Sequence, residues 1–342
     1  MLTVDGQCQF IDCNAYSTAG GLYAFFYNSS SKLVLEDCLF RGCYSLHQSG
    51  GSYIYNQGAL LVNRVIFENC SCDSDYSGGM DICIHGESIQ CIINGTSFIN
   101  CRGIRGGAYS GGAIYIDSGQ SNEISTIHFI SQTQILIENC SASWEGGGIS
   151  CFLTYNSSQA SFSNITFNNC SASGDGGGMY VNMSYNCEIE LFEQCIFNNC
   201  IAQNGGAIYF EVIYCQKAQI NSYDILIEGC QAISNITSGN PTGFGGAIFL
   251  AGFGDYDISS NGFNFRGVKT YNNAASNGGQ SLFVVMAKLQ EWCQYGDAGE
   301  YVKGNYSRAC FRRRYTPFSA QAALDLRGTF IVKFEKKIQQ KK

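Results

Sequence analysis

Hydrophobic and polar positions along this chain follow a short pattern that returns eight times. Each copy consists of Phe or Ile, one variable residue, then Asn, Asp or Gly, and then Cys. The copies begin at Phe10, Phe40, Phe67, Phe98, Ile137, Phe167, Phe197 and Ile227. They are separated by 30, 27, 31, 39, 30, 30 and 30 residues, and a period of this length is typical of stacked repeat architectures.

Each copy predicts a short β-strand followed by a bend. The residue two positions before the Phe or Ile shares its strand face and is apolar or Cys in seven of the eight copies, so this face is predicted to be buried. Asn, Asp and Gly enter the left-handed backbone region at low cost, and one left-handed residue would turn the following Cys back toward the interior. The predicted bend residues are Asp12, Gly42, Asn69, Asn100, Asn139, Asn169, Asn199 and Gly229, and the asparagines among them form a predicted structural ladder. The predicted inward column of cysteines is Cys13, Cys43, Cys70, Cys101, Cys140, Cys170, Cys200 and Cys230.

A glycine pair and two further apolar stretches complete each repeat. The pairs run from Gly20 and Gly21 to Gly278 and Gly279, and a short apolar strand follows most of them. With a third strand leading into the next Phe, the pattern predicts three short strands per turn of about 30 residues. We therefore predict an all-β, right-handed, single-stranded parallel β-helix of eight or nine coils, stacked about 4.8 Å apart. A β-sandwich or propeller is the alternative, but neither requires a left-handed residue at the same point of every repeat.

The combination of these motifs resembles the chlamydial polymorphic outer-membrane proteins and related right-handed β-helix families of protist cell surfaces. Residues 111–114, 205–208 and 245–248 match the GGAI motif of those families. This chain differs from their FxxN motif, because Cys170 and its equivalents stand where the bacterial motif has its last Asn. The resemblance covers about residues 5 to 280 and implies a pectin-lyase-like fold that serves surface display and adhesion rather than catalysis. Residues 281–307 also resemble a segment that follows the helix in protist surface proteins.

Composition and charge divide the chain into two parts. We predict a β-helix over residues 1–280 and a C-terminal cap or extension over residues 281–342; the content of 41 Gly, 2 Pro and 14% charged residues fits a solenoid. Residues 1–302 contain 9 Lys or Arg and 25 Asp or Glu, whereas residues 303–342 contain 11 and 2. The basic tail could contact an anionic surface, but a solvated, partly disordered tail explains it as well, and no nucleic-acid partner is expected.

The features that bear on compartment point in two directions. No run of 18 apolar residues exists, so no transmembrane segment is predicted, and the first ten residues lack the basic region and apolar core of a signal peptide. Ten N-x-(S/T) sequons favour an extracellular or cell-surface setting. A chain that is a fragment of a larger protein, or that assembles end to end, would reconcile the two. The predicted glycosylation sites, taken to lie in loops, are Asn28, Asn156, Asn182, Asn235 and Asn305, whereas Asn69, Asn139 and Asn169 are expected to sit inside the bend.

The 19 cysteines have two explanations. They would suggest disulfides in a secreted protein. Stacked free Cys is also a good small apolar filler, and parallel neighbours make the disulfide dihedral awkward. We expect a reduced column, with a disulfide ladder as the alternative. Cys293 and Cys310, outside the helix, are the better candidates for a disulfide.

Candidate catalytic and metal-binding residues are sparse. The NTD, GHG and RIK segments expected of polygalacturonase-like enzymes are absent, and glycoside hydrolysis needs two carboxylates a few ångströms apart. Asp73 with Asp75, and Asp255 with Asp257, are weak Ca²⁺ candidates that are more simply solvated loop acids. We expect no catalytic residue, cofactor or metal. Tyr residues after the glycine pairs could stack on sugar rings, although packing between coils is the simpler explanation; they are Tyr23, Tyr53, Tyr115, Tyr180 and Tyr209.

The sequence therefore predicts a non-enzymatic structural or adhesive β-helix domain of a cell-surface or secreted protein. Carbohydrate, host or self surface proteins, and further copies of the chain are its expected partners. A carbohydrate-active enzyme of the pectin-lyase-like fold is the first alternative, and three or more outward acids close together would favour it. An intracellular scaffold is the second, favoured by reduced cysteines and unglycosylated sequons.

Overall fold

The regular structure of this protein consists of stacked β-strands. The computed structural model describes residues 1–74, 76–84, 89–105, 110–118, 125–129, 133–154, 157–184, 186–213, 217–238, 240–254, 257, 262–265 and 267–286, and the backbone of 310–311 and 330–333. All regular elements in these residues are strands, and they form four sheets, which we name A to D in the order in which the chain enters them. Each sheet contains nine parallel strands, one from each coil, so the chain is an all-β parallel β-solenoid of about eight turns. The right-handed winding stays a prediction.

Each coil passes through the four sheets in turn. Sheet A contains Leu2–Val4, Lys32–Glu36, Ala59–Asn63, Ile89–Asn94, Ser125–Phe129, Gln159–Ser163, Glu188–Phe192, Gln219–Ser222 and Phe263–Asn264. Sheet B contains Gln9–Ile11, Leu39–Arg41, Ile66–Glu68, Ser97–Ile99, Ile135–Glu138, Ile165–Asn168, Cys195–Asn198, Ile225–Glu228 and Val268–Tyr271. Sheet C contains Asn14–Ala15, Tyr44–Ser45, Ser71–Cys72, Arg102–Gly103, Ser141–Ala142, Ser171–Ala172, Ile201–Ala202, Gln231–Ala232 and Ala274–Ala275. The parallel strands of sheet D are Leu22–Phe26, Ser52–Asn56, Met80–Ile84, Ile114–Asp117, Ile149–Leu153, Met179–Ser184, Ile208–Ile213, Ile248–Phe253 and Leu282–Met286.

The count of strands per coil corrects the sequence prediction. Three strands were predicted, whereas the structure has four, because the two residues after the Cys pair as a separate strand in sheet C. These strands are too short to show a periodic pattern of their own. The second residue of these strands is small in each coil, and Ala142 and Ala172 at this position are buried.

The bend between sheets B and C has the predicted backbone conformation. All eight predicted residues have positive φ, from 51° at Asp12 to 67° at Gly229. The strand Val268–Tyr271 adds a ninth copy, whose Asn272 has a φ of 53°. The sequence pattern missed this copy because Thr270 replaces the Phe and Asn273 replaces the Cys. Asn273 is bonded to the coil before it, since its Oδ1 accepts from the amide of Cys230 (2.8 Å) and its Nδ2 donates to the carbonyl of Ile227 (3.0 Å).

The cysteine column points inward, as predicted. Its members from Cys43 to Cys230 are fully buried, and Cys13 in the first coil is half-buried. From Cys43 onward, each thiol of the column is close to a backbone carbonyl of the coil before it; for example, Cys170 Sγ donates to the carbonyl of Ile137 at 3.4 Å. All 16 cysteines of the described residues are free thiols in the structure, and burial raises the pKa of such groups, to about 12 for Cys91. The oxidation state in the cell stays a prediction.

The asparagine ladder lies on the outside of the bend, which corrects the expectation that these side chains sit within it. Asn69, Asn139 and Asn169 are exposed. Asn100 Nδ2 donates to Asn69 Oδ1 at 3.1 Å, and Asn169 Nδ2 donates to Asn139 Oδ1 at 3.4 Å. The left-handed residue occupies the convex corner, so it is the Cys after it that turns inward.

A second left-handed corner, between sheets A and B, was not predicted. Asp37, Arg64, Asn164 and Asp224 each precede a sheet B strand and have φ between 49° and 53°. The residue types vary more here than at the first corner. The available signal was that Asp, Asn or Gly stands three residues before the Phe or Ile in several copies.

The glycine pairs are required by close packing against the next coil. A Cβ on Gly148 would lie 2.7 Å from the ring of Phe167, and one on Gly147 would lie 2.2 Å from the carbonyl oxygen of Gly177. The Phe rings themselves stack inside the solenoid, with centroids 4.5 Å apart for Phe10 and Phe40 and 4.4 Å for Phe167 and Phe197. Removing the side chain at the glycines lets successive coils approach to the strand spacing.

Sheet D continues beyond the predicted boundary at residue 280. Its last parallel strand is Leu282–Met286, and Phe330–Lys333 pairs with it antiparallel and in turn with Cys310–Phe311. Within the described residues, the structure contains no helix long and apolar enough to cross a membrane.

Candidate functional site on the outer face of sheet D

A column of aromatic rings runs along the outer face of sheet D. Rings of neighbouring coils stack on one another: Tyr180 and Tyr209 have centroids 5.5 Å apart and an interplanar angle of 18°, and Tyr209 and Phe249 are 4.8 Å apart at 5°. Their faces are occupied by neighbouring rings. The geometry therefore favours packing between coils over the stacking of sugars on these rings.

The column is interrupted at two coils, and other side chains fill the gaps. Asp81 is in register with Tyr53 and Tyr115, and the ring of Tyr76 lies between those two tyrosines, edge-on to both. Ser150 takes the aromatic position in the fifth coil. There Phe152, two residues further along the strand, contacts the rings of Tyr115 and Tyr180. The interruptions place polar groups beneath an aromatic cover.

Asp81 is fully buried at the first interruption. Its Oδ1 accepts from the amide of Ser77 at 2.9 Å and from the Ser77 hydroxyl at 2.5 Å, and its Oδ2 has no hydrogen-bond partner among the described residues. Burial raises the pKa of Asp81 to about 8, although the hydrogen bonds from Ser77 oppose the shift. The carboxyl is therefore largely protonated at neutral pH.

Three further carboxyls come together at the second interruption, and we name Glu145, Asp175 and Glu211 the acid cluster. Glu145 and Asp175 stand directly before the glycines that enter sheet D in two consecutive coils, and Glu211 lies on the strand Ile208–Ile213 of the next coil. All three are half-buried. The solenoid thus gathers acids that are far apart in sequence onto one border of sheet D.

Tyr180 and two asparagines connect these carboxyls. The hydroxyl of Tyr180 donates to Glu211 Oε2, and Asn182 Nδ2 donates to the same oxygen at 2.9 Å. Tyr180 and Trp144 also interact with the carboxyl of Glu145 in a way that favours its charged form. In the neighbouring coil, Asn204 Nδ2 donates to Asp175 Oδ1 at 2.9 Å.

Burial and mutual repulsion change the pKa values of the acid cluster. Burial, followed by the charges of Asp175 and Glu211, raises the pKa of Glu145 to about 8. Burial is also the largest cause for Asp175, whose pKa rises to about 7 while its bond from Asn204 opposes the rise. A protonated carboxyl linked through Tyr180 to a second carboxyl is an arrangement that can donate and accept a proton in one reaction. These residues were not predicted as a site, although an acid stands directly before the glycine run in two consecutive copies of the repeat.

A second polar group lies on the outer face of sheet A. His128, Ser161 and Glu190 are in register on three successive strands, and His128 Nδ1 is 2.5 Å from Ser161 Oγ. Burial lowers the pKa of His128, and the charge of Glu190 opposes this. The order of the three residues differs from that of a catalytic triad, in which the histidine stands between the acid and the nucleophile. Here Ser161 occupies the middle position.

The remaining predicted sites that fall within the described residues are spread over several parts of the solenoid. Asn182 lies in a strand of sheet D, not in a loop as predicted, whereas Asn28 and Asn235 lie in exposed or half-exposed turns. Asp73 contacts Arg105 at 3.8 Å. No group of three or more potential metal ligands occurs among the described residues. Outside those residues, or known there by backbone alone, are Asn156, Asn305, Cys293, Cys310, Asp75 and Asp255.

This chain can be classified only by its fold, because comparison with known proteins found no match. No family model matches the chain, and no curated protein or solved structure matches it. The geometry alone defines the class, an all-β parallel β-solenoid with one polar, partly buried acid cluster on its outer face. Kinship with the chlamydial and protist families stays an expectation from the motifs.

Proposed function

We propose that this chain is a non-enzymatic structural and adhesive solenoid of a cell-surface or secreted protein. The observation that carries the proposal is its uninterrupted core: one hydrophobic cluster extends from Ala24 in the first coil to Met286 in the ninth. At the strand spacing of about 4.8 Å, nine coils form a rod roughly 40 Å long. Such a rod holds attached domains or contact surfaces at a fixed distance, because each coil is bonded to both neighbours.

The contact surfaces of this rod would be its outer faces, where side chains differ from coil to coil without affecting the stacking. Ile66 on sheet B and Ile92 on sheet A are both partly exposed, in columns that also contain charged and polar residues. Mixed surfaces of this kind suit recognition of carbohydrate or of proteins on a host or neighbouring cell. These ligands remain part of the proposal.

The proposal is tested by locating the chain on intact cells. An antibody against the folded solenoid is applied to cells of the native source before and after permeabilisation, and a known intracellular protein serves as the control. Labelling of intact cells supports the proposed function. Labelling only after permeabilisation, with all thiols reduced and no glycan mass, would instead indicate the intracellular scaffold.

A carbohydrate-active enzyme is the second candidate, and the acid cluster is the observation that favours it. Its three carboxyls come from adjacent coils, and two of them have pKa values near neutrality. In this hypothesis Glu145 would protonate the leaving oxygen and Glu211 would act as base or nucleophile.

The enzyme hypothesis predicts release of reducing ends or unsaturated products from a panel of neutral and acidic polysaccharides. Glu145→Gln and Glu211→Gln should each lower the rate by about 100-fold or more. Glu68→Gln is the matched control, because Glu68 forms an ion pair with Arg41 on sheet B (2.7 Å), away from sheet D. Absence of turnover by the wild-type chain on the whole panel would exclude this candidate for those substrates.

A further inference from the structure

We propose that, among the eight sequons in the described residues, Asn28 and Asn235 are the N-glycosylation acceptors and that the other six carry no glycan in the folded protein. The proposal rests on the proposed function, because N-linked glycans are added in the secretory pathway. It goes further by selecting two sites from the eight sequons in the described residues, at Asn28, Asn69, Asn94, Asn139, Asn164, Asn169, Asn182 and Asn235.

The selected asparagines share one local geometry. Asn28 follows the first strand of sheet D and is exposed, and its Oδ1 accepts from the amide (2.9 Å) and hydroxyl (2.8 Å) of Ser30. Asn235 lies in the loop between sheets C and D, and its Oδ1 accepts from the amide (3.0 Å) and hydroxyl (2.7 Å) of Thr237. The residue between them, Ile236, is 96% exposed, so this turn projects from the rod.

The consequence of this geometry concerns the acceptor nitrogen. In both turns, the amide and hydroxyl of the Ser or Thr of the sequon donate to Oδ1 of the asparagine. Nδ2 of both asparagines donates no hydrogen bond within the described part of the chain. A glycan attached there replaces a hydrogen bond to water and breaks none in the protein. Both turns border sheet D, at opposite ends of the solenoid.

Five of the other six sequons take part in side-chain hydrogen bonds between coils, and Asn164, the sixth, lies in the left-handed corner before sheet B. Asn182 Nδ2 donates to Glu211 in the acid cluster, and Asn94 Nδ2 donates to Asn63 Oδ1 at 2.9 Å. Asn169 Nδ2 donates along the outer ladder to Asn139. Ladder neighbours repeat at about the 4.8 Å strand spacing, which is narrower than a sugar ring with its substituents. A glycan would remove the hydrogen bond that Nδ2 donates at Asn94, Asn169 and Asn182, and in the ladder it would crowd the adjacent coil.

Selection among the sequons would occur during folding. In the transfer, Asn Nδ2 forms a bond to C1 of an oligosaccharide carried on a lipid pyrophosphate. The pyrophosphate leaves with the electrons of the C1–O bond, and an Nδ2 proton is released. Transfer precedes folding, so any sequon can react at first, but a chain modified at Asn182 or in the ladder would stack its coils less stably and be selected against. The folded, secreted population should therefore carry glycans at Asn28 and Asn235.

The test is glycopeptide mapping of the full chain, expressed with a secretion leader in a eukaryotic host. We expect the secreted protein to carry glycans at Asn28 and Asn235 and to be unmodified at Asn182. Treatment with a peptide N-glycosidase should then remove both glycans. Ser30→Ala and Thr237→Ala should each remove one glycan, and Asn182→Gln, the matched control, should remove none. If the chain is retained in the cell, the same mapping is carried out on its protease-resistant, folded fraction.

Two outcomes would overturn the inference: a glycan at Asn182 or at a ladder asparagine in folded protein, or empty sites at both Asn28 and Asn235. This failure is distinguishable from failure of the proposed function. The heterologous host tests only which sites the fold tolerates, whereas labelling of native cells tests where the chain resides. Occupied Asn28 and Asn235 together with an inaccessible native chain would preserve the geometric inference and reject the surface role.

Discussion

The interior of the solenoid and the outer face of sheet D follow opposite rules. Inside, each coil repeats its neighbours, so that Cys lies over Cys and Phe over Phe. On sheet D, Asp81 and Ser150 interrupt the aromatic column, and the acid cluster belongs to only three coils. Repetition is needed wherever coils stack, because the same space recurs in each turn. A departure from it costs stability and so marks the coils in which another requirement operates.

The largest effect that this comparison predicts concerns the repeated glycines. Gly147→Ala should lower the free energy of unfolding by about 4 kcal/mol or more, since its Cβ would lie 2.2 Å from a backbone oxygen that cannot move alone. Gly103→Ala is the matched control, because its register partner is already alanine, Ala142. Urea unfolding followed by circular dichroism measures both. A Gly147→Ala variant as stable as Gly103→Ala would show that the coils are not packed this closely.

The next effect concerns the left-handed corner. Asn169→Val should destabilise the chain by about 2 kcal/mol, because a β-branched residue resists the φ of 53° found at Asn169. Asn169→Gly loses the same ladder hydrogen bond without this conformational cost, so it should change stability by less than half as much. Thermal melting of the two variants separates the contributions. An unchanged melting temperature for Asn169→Val would contradict the bend.

On the outer face, we expect stability to depend on pH through Asp81. Its folded pKa of about 8 lies above the ordinary value of 3.8, so the folded state binds a proton that the unfolded state has released. The stability associated with Asp81 is therefore fully present below about pH 4, declines as the pH rises to about 8, and is constant above that. Each pKa unit of difference between the folded and unfolded states changes the free energy of unfolding by at most about 1.4 kcal/mol.

Asp81→Asn tests this dependence, since the amide oxygen can still accept from Ser77. The variant should match the wild type near pH 4 and exceed it by about 1–2 kcal/mol at pH 8, a gain smaller than the pKa difference implies because solvent relaxation reduces it. Part of the pH slope should remain, because the pKa values of Glu145 and Asp175 are also raised. Urea midpoints at several pH values measure both slopes. Parallel slopes for wild type and variant would mean that Asp81 does not titrate in this range.

The smallest effect belongs to the exposed ion pairs. Arg41→Ala, which removes the 2.7 Å contact with Glu68, should cost less than about 1 kcal/mol, because both side chains are partly in water. The loss should decrease further in about 1 M salt. A cost comparable to that of Asn169→Val would show that outer-face contacts stabilise the coils as strongly as the corners do.

The sequence by itself determined the features that every coil must share. The left-handed corner, the inward cysteines and the glycine pairs were readable because stacking imposes the same residue type at the same place, and eight copies make that type visible. Sheet C could not be predicted from the sequence, because two-residue strands show no periodic pattern. The ninth copy was missed because Thr270 stands where the repeat motif has Phe or Ile.

Only the tertiary structure decided which face the bend asparagines occupy and which departures from the repeat meet. The alternation of side chains along a strand predicts which residues share a face, but it does not predict which side of a corner is convex. The asparagine ladder was therefore predicted to lie inside the bend, whereas it lies outside. Glu145, Asp175 and Glu211 are 30 or more residues apart in sequence, and they become neighbours because one turn of the solenoid returns the chain to the same border of sheet D. The raised pKa values of Glu145 and Asp175 follow from that proximity and from burial, which are properties of the folded chain.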